Sequence, residues 1–351
     1  MIRSLSSTLA AAALVALALG ISLPAEAARR SATVELSADQ NEFTTSDDVT
    51  VRFTISNDSE APISVYIWDT PLGEIENDLF DVTRDGERVA YLGIIAKRLD
   101  PTSADFIRLR SGHSRSAVIE LSALYDMSRP GFYTVQYRAG LAGVVPASGA
   151  RAAEALNSNS VALRLTGEAR PSPIADASSR AALATTSFVS CSATQQTTLS
   201  TQALPSARTY ASNASSSLTS SSATRYQTWF GAPDTARFNT VKSHFQSLAS
   251  TLLNQNISFD CGCKKTYYAY VYPTRPYEIH LCKAFWTAPV TGTDSKAGTI
   301  IHETSHFNVV AGTDDWTYGQ SSCKSLAISS PDKAIDNADS HEYYAENTPA
   351  Q

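Results

Sequence analysis

The segment Thr299-Ile300-Ile301-His302-Glu303-Thr304-Ser305-His306-Phe307 places two histidines four residues apart, with a glutamate directly after the first. On a helix, side chains at that spacing project from one face, so both imidazoles can grip one metal ion, and Glu303 is placed as the base of a metal-assisted hydrolysis. Asp294 or Ser295 can cap the start of such a helix. Two imidazoles leave a tetrahedral zinc ion short of protein ligands, because a catalytic site uses a third and keeps the fourth position open for water. A motif with Gly three residues and a third His six residues beyond the second His is excluded, since Val309 and Gly312 stand there. Two sources of a carboxylate ligand remain. A later helix offers Glu342 or Glu346. Nearer in sequence is Gly312-Thr313-Asp314-Asp315-Trp316-Thr317-Tyr318-Gly319, whose glycines permit a tight turn that returns a short carboxylate beneath the metal.

These residues need a rigid frame in a compartment that suits them. The chain opens Met1-Ile2-Arg3, continues through an apolar run from about Leu9 to Leu23 and reaches the small-residue site Ala25-Glu26-Ala27, the pattern of a secretory signal peptide over residues 1–27. No later run is apolar for long enough to span a bilayer, so a secreted protein without membrane anchor is expected, extracellular or periplasmic. A net charge of -6 with no basic patch excludes a nucleic-acid partner.

From Ser31 to about Leu165 short alternating runs such as Thr33–Leu36, Val49–Ile55, Ser64–Trp68, Phe132–Tyr137 and Val161–Leu165 are separated by Asn, Asp, Gly and Pro. They predict an antiparallel β-sandwich, loosely immunoglobulin-like, over residues 28–166, with no catalytic constellation of its own. Residues 167–190 are rich in Ala, Ser and Pro and read as an exposed, cleavable linker. Beyond them helix predominates: about Ala193–Ser217, Pro233–Leu253 and from Ser295 onward, interrupted by a short β region through Tyr267–Tyr272 and Tyr277–Leu281. Residues 191–351 are therefore expected to form a mostly α, α+β domain, making the chain multidomain. All five cysteines, Cys191, Cys261, Cys263, Cys282 and Cys323, lie in that half, so disulfides are expected there and nowhere else.

The pairing of HETSH with GTDDWTYG resembles the deuterolysin-like aspzincin metalloendopeptidases, whose pattern is HExxH followed by GTxDxxYG. The likeness continues through Asp260-Cys261-Gly262-Cys263, Tyr270-Val271-Tyr272-Pro273, Cys282-Lys283-Ala284-Phe285-Trp286, Gly292-Thr293-Asp294-Ser295 and Asn337-Ala338-Asp339-Ser340-His341-Glu342-Tyr343, and is nearest to the peptidyl-Lys metalloendopeptidases. It covers roughly Cys191 to Gln351. The resemblance implies a zincin fold, one catalytic Zn2+ held by His302, His306 and Asp315, Glu303 as base, and Tyr318 beside the reacting carbonyl. It also implies bridges Cys191 to Cys261 and Cys263 to Cys282, with Cys323 free.

Asp339 and Glu342 stand three apart in a segment, Pro331 to Asn347, that can form a helix. Spacing alone favours a solvated acidic face. The resemblance at both positions assigns them instead to a pocket for a substrate lysine, whose ammonium offers three donors on a long stem. The expected partners are polypeptide substrates and the chain's own prodomain, acting as inhibitor or folding aid. That prodomain has no cysteine to block zinc, and Lys97 is its one lysine, so Lys97 is expected to dock in the pocket as a substrate mimic. The competing functions are a broader deuterolysin-type protease and a secreted binding or adhesin module with a vestigial metal site.

Overall fold

The computed structural model describes residues 32–99, 101–138, 144–146, 156–174 and 186–351. The expected signal peptide, residues 1–27, lies outside them.

Along the strand Ala32–Ser37 burial alternates strictly, with Ala32, Val34 and Leu36 inward and Thr33, Glu35 and Ser37 outward. This is the period of a sheet with one face on a core. It pairs antiparallel with Thr50–Asn57, which pairs antiparallel with Ser114–Glu120. A second sheet runs in the order Glu42–Thr44, Asn157–Thr166, Gly131–Arg138, Phe80–Arg84, Glu87–Arg88. A third joins Val144–Pro146, Ile63–Tyr66 and Phe106–Leu109. Val34, Phe53, Ile55, Ile63, Val82, Tyr133, Val135 and Leu163 share one core. The N-terminal half is thus β-rich, but it is not purely antiparallel. The chain changes sheet between Ser37 and Glu42 and lays Glu42–Thr44 parallel to Arg164–Thr166, burying Phe43 in the shared core.

The C-terminal half mixes α and β. Its long helices are Leu204–Ser217, Thr235–Asn254, Lys296–His306, Gln320–Ser329 and Ala338–Glu346. Asp234 starts the second of these by accepting a hydrogen bond from the Arg237 amide (2.9 Å). A five-stranded sheet runs Ser187–Val189, Ser258–Asp260, Glu278–Leu281, Ala269–Val271, Ile95–Lys97. Its last strand comes from the N-terminal half and lies antiparallel to Ala269–Val271, with Lys97 opposite Ala269 and Ala96 opposite Tyr270.

One feature corrects the expected linker, 167–190. Its start, residues 167–174, is exposed as expected, with the Arg170 amide donating to the Ser128 carbonyl and the Ser172 hydroxyl to Asp126. At its finish Ser187–Val189 is a strand of the C-terminal sheet, because Phe188 stacks on Phe259 and the backbone pairs with Ser258–Asp260. Residues 175–185 between them lie outside the described residues.

Disulfides join Cys191 to Cys261 and Cys263 to Cys282, and Cys323 is free and buried. The first closes a loop of 70 residues and ties the strand Ser187–Val189 to its neighbour. Loop closure of that length lowers the entropy of the unfolded chain by an equivalent of about 4 kcal/mol.

Candidate active site

The helix Lys296–His306 is capped by Ser295, whose hydroxyl accepts from the Gly298 amide (2.9 Å), and every one of its residues is buried. Its glycine is forced by packing, since a Cβ at Gly298 would overlap the carboxylates of Glu342 and Glu346 on the neighbouring helix Ala338–Glu346. The two helices can therefore lie close enough for residues of one to reach the imidazoles of the other.

His302 Nε2 lies 3.2 Å and His306 Nε2 3.5 Å from Asp315 Oδ1. All three atoms are buried, and none has a hydrogen-bond partner among the described residues. Unpaired buried polar atoms are costly, so three of them converging on one point form a site built for something that binds all three. Two imidazoles and a carboxylate are the donor set that zinc takes in catalytic sites. The residues present fit such an ion.

Asp315 reaches this position by the turn that the glycines allow. Gly312 and Gly319 both have positive φ, +61° and +82°, a region L side chains rarely occupy. The loop between them is pinned at several points. The Thr313 amide donates to the Ser305 carbonyl (3.1 Å), and the Asn337 side-chain oxygen accepts from the Trp316 and Thr317 amides (2.9 and 3.1 Å). From the N-terminal half, Asn77 donates to the Asp315 carbonyl (3.2 Å), and Arg88 and Arg138 donate to the neighbouring Asp314 (3.1 and 2.8 Å). Asp314 thus faces the arginines while Asp315 faces the histidines.

The outer nitrogens of the imidazoles are also engaged. His306 Nδ1 lies 2.7 Å from the Thr313 carbonyl, an acceptor only, so that nitrogen carries the proton and Nε2 is left with its lone pair. His302 Nδ1 lies 2.9 Å from Asp339 Oδ1 and 3.4 Å from Glu342 Oε2, both off the line of a well-formed hydrogen bond. Asp339 therefore stands beside the imidazole as well as beside Lys97, a position that spacing did not reveal. Its other oxygen accepts from the Gly319 amide (2.8 Å). Of the alternative carboxylates, Glu346 is spent elsewhere: it accepts from the Ser295 amide and hydroxyl (2.9 and 2.8 Å) at the start of the motif helix.

Glu303 is fully buried, and neither carboxylate oxygen has a hydrogen-bond partner among the described residues. Burial pushes its carboxyl up to about 7 against the opposing pull of His302 and His306. Tyr318 places its hydroxyl 2.8 Å from Asp315 Oδ2 and 2.9 Å from the Ala96 carbonyl. It has one proton to share between two acceptors, and burial holds the phenol well above its ordinary range, so it stays a donor.

Beside these groups lies the one lysine of the N-terminal half. Lys97 Nζ is 2.7 Å from Glu342 Oε2, 3.0 Å from Asp339 Oδ1 and 3.7 Å from Asp294 Oδ1, with its side chain 1% exposed. Burial opposes its charge, but the three carboxylates outweigh that and hold the ammonium well above its usual range. Asp339 is correspondingly held below the ordinary carboxylate range, burial being overcome by Lys97 and His302, whereas burial leaves Glu342 raised.

The helix Ala338–Glu346 carries a second buried pair. His341 Nδ1 faces the Asn337 carbonyl (3.0 Å), so its Nε2 accepts from His244 Nδ1 at 3.1 Å. Protonating both rings would set two N–H groups against each other. Burial lowers His244 to about 4 and His341 to about 3. A histidine depressed in the folded state contributes its full stability above its unfolded pKa, about 6.5, and loses it as pH falls towards the folded value. The melting temperature of the full chain is therefore expected to fall between pH 6.5 and 4, and His244→Asn is expected to flatten that fall. An unchanged slope in the variant would dismiss the pair as its source.

A family model described as lysine-specific metallo-endopeptidase, of the aspzincin type, matches residues 214–346. An extracellular protease of Aeromonas hydrophila is 44% identical over 312 residues, covering 87% of this chain and 90% of that relative. A peptidyl-Lys metalloendopeptidase of Pleurotus ostreatus is 56% identical over 166 residues, covering 46% of this chain and 98% of that relative. A solved zinc peptidase from Grifola frondosa shares 47% identity over 46% of this chain and 99% of that one, with a TM-score of 0.44. The 44% likeness extends far beyond the motif helix, through nearly the whole of both chains. With the buried donor set and the matching model, it establishes that this chain belongs to the aspzincin family of zinc metalloendopeptidases.

Proposed function

We propose that this chain is the precursor of an exported protease that hydrolyses polypeptides on the N-terminal side of lysine, and that its N-terminal half is an immunoglobulin-like prodomain occupying the active site. One observation carries the reading. The peptide bond from Ala96 to Lys97 lies across the site, with the Ala96 carbonyl 2.9 Å from the Tyr318 hydroxyl and the Lys97 ammonium between Asp339 and Glu342. The strand carrying it adds antiparallel to the edge of the protease sheet, a recurrent way of holding an extended peptide.

One zinc ion would be held by His302, His306 and Asp315. The chemistry such an ion supplies is Lewis acidity towards a carbonyl and acidification of water. Glu303, unpaired and raised by burial, takes the proton of the attacking water and returns it to the leaving amine. Tyr318 donates to the carbonyl oxygen of the residue before lysine as charge develops there. Asp339 and Glu342 bind the ammonium, and Asp339 also steadies His302. An Arg guanidinium, a wide planar fork, does not match the close approach that the narrow ammonium makes to both carboxylates.

The domain reading follows. Residues 1–27 are the signal peptide, the β-rich half is the prodomain, and the protease begins at the strand Ser187–Val189. The family match over 98% of a relative by 166 residues supports a catalytic unit of about this half. The name of the Aeromonas relative, and the absence among the described residues of a helix long and apolar enough to cross a membrane, support export. Residues 175–186 contain Arg180 but no lysine, so release of the prodomain requires another protease or relaxed self-cleavage.

Mass spectrometry of peptides released from a denatured protein tests the reading. New N-termini are expected to begin with lysine. Cuts spread over many residue types would favour the broader deuterolysin-type protease, and protein that contains no zinc and makes no cuts would favour a binding module.

A further inference from the structure

We infer that Asp294 is a third carboxylate of the lysine pocket, set at its mouth, where its charge draws the substrate ammonium in from water. The inference rests on the proposed binding of a substrate lysine by Asp339 and Glu342, and adds to them a residue from a different segment of the chain.

The sequence allows either Asp294 or Ser295 to cap the helix Lys296–His306, and in the structure Ser295 does so. The Asp294 carboxylate is left for another use. Its Oδ1 lies 3.7 Å from the Lys97 ammonium, on a backbone with φ of +51°. That is the left-handed region, uncommon for any residue but glycine and tolerated best by Asn and Asp. A residue persists there only when its surroundings hold it, and such positions gather at ligand clamps.

The surroundings of Asp294 do hold it. Its amide donates to Glu346 Oε2 (3.2 Å), and two residues earlier the Gly292 amide donates to the Tyr210 hydroxyl (3.0 Å). The Tyr343 hydroxyl donates to Asp294 Oδ1 (2.7 Å), the same oxygen that faces Lys97. Tyr210, Tyr343 and Glu346 all belong to the C-terminal half. The aim of the carboxylate therefore does not depend on the N-terminal half, and a substrate lysine brings the one group that Lys97 contributes, its ammonium.

The three carboxylates divide the work. Asp339 and Glu342 are at most 1% exposed, whereas the Asp294 side chain is 39% exposed even with the N-terminal half docked. At 2.7 and 3.0 Å the first two contact the ammonium directly, while 3.7 Å is beyond a hydrogen bond and leaves a charge–charge attraction. Buried partners govern how long a cation stays; a charge at the rim governs how fast it arrives, and salt screens it. A carboxylate here also suits the positive end of the helix Lys296–His306. That role alone would affect stability and not the choice between charged and neutral substrate side chains.

The test uses zinc-loaded active enzyme obtained from the full chain and two peptides that differ at one position, lysine or norleucine, which keeps the stem and lacks the ammonium. Asp294→Asn retains an acceptor for Tyr343 and tolerates the left-handed backbone, so it removes the charge alone. The lysine-to-norleucine ratio of kcat/KM is expected to fall by roughly 3- to 30-fold, carried by KM and not kcat. Cleavage before lysine should also lose part of its dependence on salt. Asp294→Gly suits the positive φ still better and is expected to act in the same direction, which covers a poorly folded Asn variant, read from its melting curve. A ratio and a salt dependence equal to wild type would overturn the inference while leaving the lysine reading intact. Equal losses with both peptides would overturn it too, leaving Asp294 a structural role. A wild-type enzyme that cleaves the two peptides alike would instead remove the reading on which it rests.

Discussion

Glu303→Gln is expected to lower peptide hydrolysis by about 10²- to 10⁴-fold, the range spanned by a positioned general base, while leaving zinc content unchanged. The substitution preserves shape and removes only the ability to take a proton. Its side chain is not one of the three converging donors, His302 Nε2, His306 Nε2 and Asp315 Oδ1, so the metal should be retained. Because neither Glu303 oxygen has a hydrogen-bond partner among the described residues, no hydrogen-bond network is broken by the change. A neutral amide also relieves the burial that pushes the carboxyl up to about 7. The fold should consequently be at least as stable, and a loss of activity cannot be charged to unfolding. Zinc measured by atomic absorption, a melting curve and hydrolysis of a lysine-containing peptide separate the cases. Full activity in the variant, or loss of zinc along with activity, would remove Glu303 from the role of base.

The residues of this site were legible where their meaning is local. A four-residue spacing on a helix and a turn with glycine at both ends are encoded within about twenty residues, while the choice of Asp315 over Glu342 or Glu346 comes from the resemblance; the structure brings His302, His306 and Asp315 together. Strict alternation likewise announced the strand Ala32–Ser37 and the β-rich half to which it belongs. What local patterns cannot carry is pairing between distant segments. The strand Ile95–Lys97 has three residues, all buried and without alternation, and its partner strand belongs to the other half of the chain. A run so short has no periodicity to detect. The Lys97 ion pair with Asp339, spanning 242 residues, follows from the resemblance that assigns Asp339 and Glu342 to a lysine pocket, together with Lys97 being the one lysine of the N-terminal half. The support that Asp339 gives His302, the grip of Asn337 on the ligand loop, and the burial of Tyr267 against Ala96 all depend on helices and loops meeting after folding. The linker was misplaced at its C-terminal end for the same reason: Ser187–Val189 is identified as strand by Phe259 and Ser258–Asp260 alongside it, not by its own composition.

The largest effect on the full chain is expected from Lys97→Met. Lys97 is the cation that allows Asp339 and Glu342 to be buried together beside His302, with both carboxylates and the ammonium at most 1% exposed. Methionine keeps the length of the stem and removes the charge, leaving two like charges in a site without water. Breaking a buried pair by deleting one partner costs about 3–5 kcal/mol. That cost falls on the state in which the strand Ile95–Lys97 is docked and is relieved when the strand leaves, since the carboxylates then meet water. The population with an open site should rise by roughly 140- to 4,000-fold, each 1.4 kcal/mol being a factor of ten. Other contacts between the halves, such as Arg138 with Asp314, would keep the N-terminal half nearby. The measurement is best made with Glu303→Gln present, so that the chain remains intact and binding is read without cleavage. A fluorescent peptide with one lysine should bind the Lys97→Met chain at least a hundredfold more tightly than the chain with Lys97 in place. Adding Glu342→Gln removes one of the stranded charges and should recover part of the closed state, but it should also weaken the peptide, because the incoming ammonium loses a partner. If the chain carrying Lys97 binds the peptide as well as the Lys97→Met chain does, the lysine is packed in the site without guarding it.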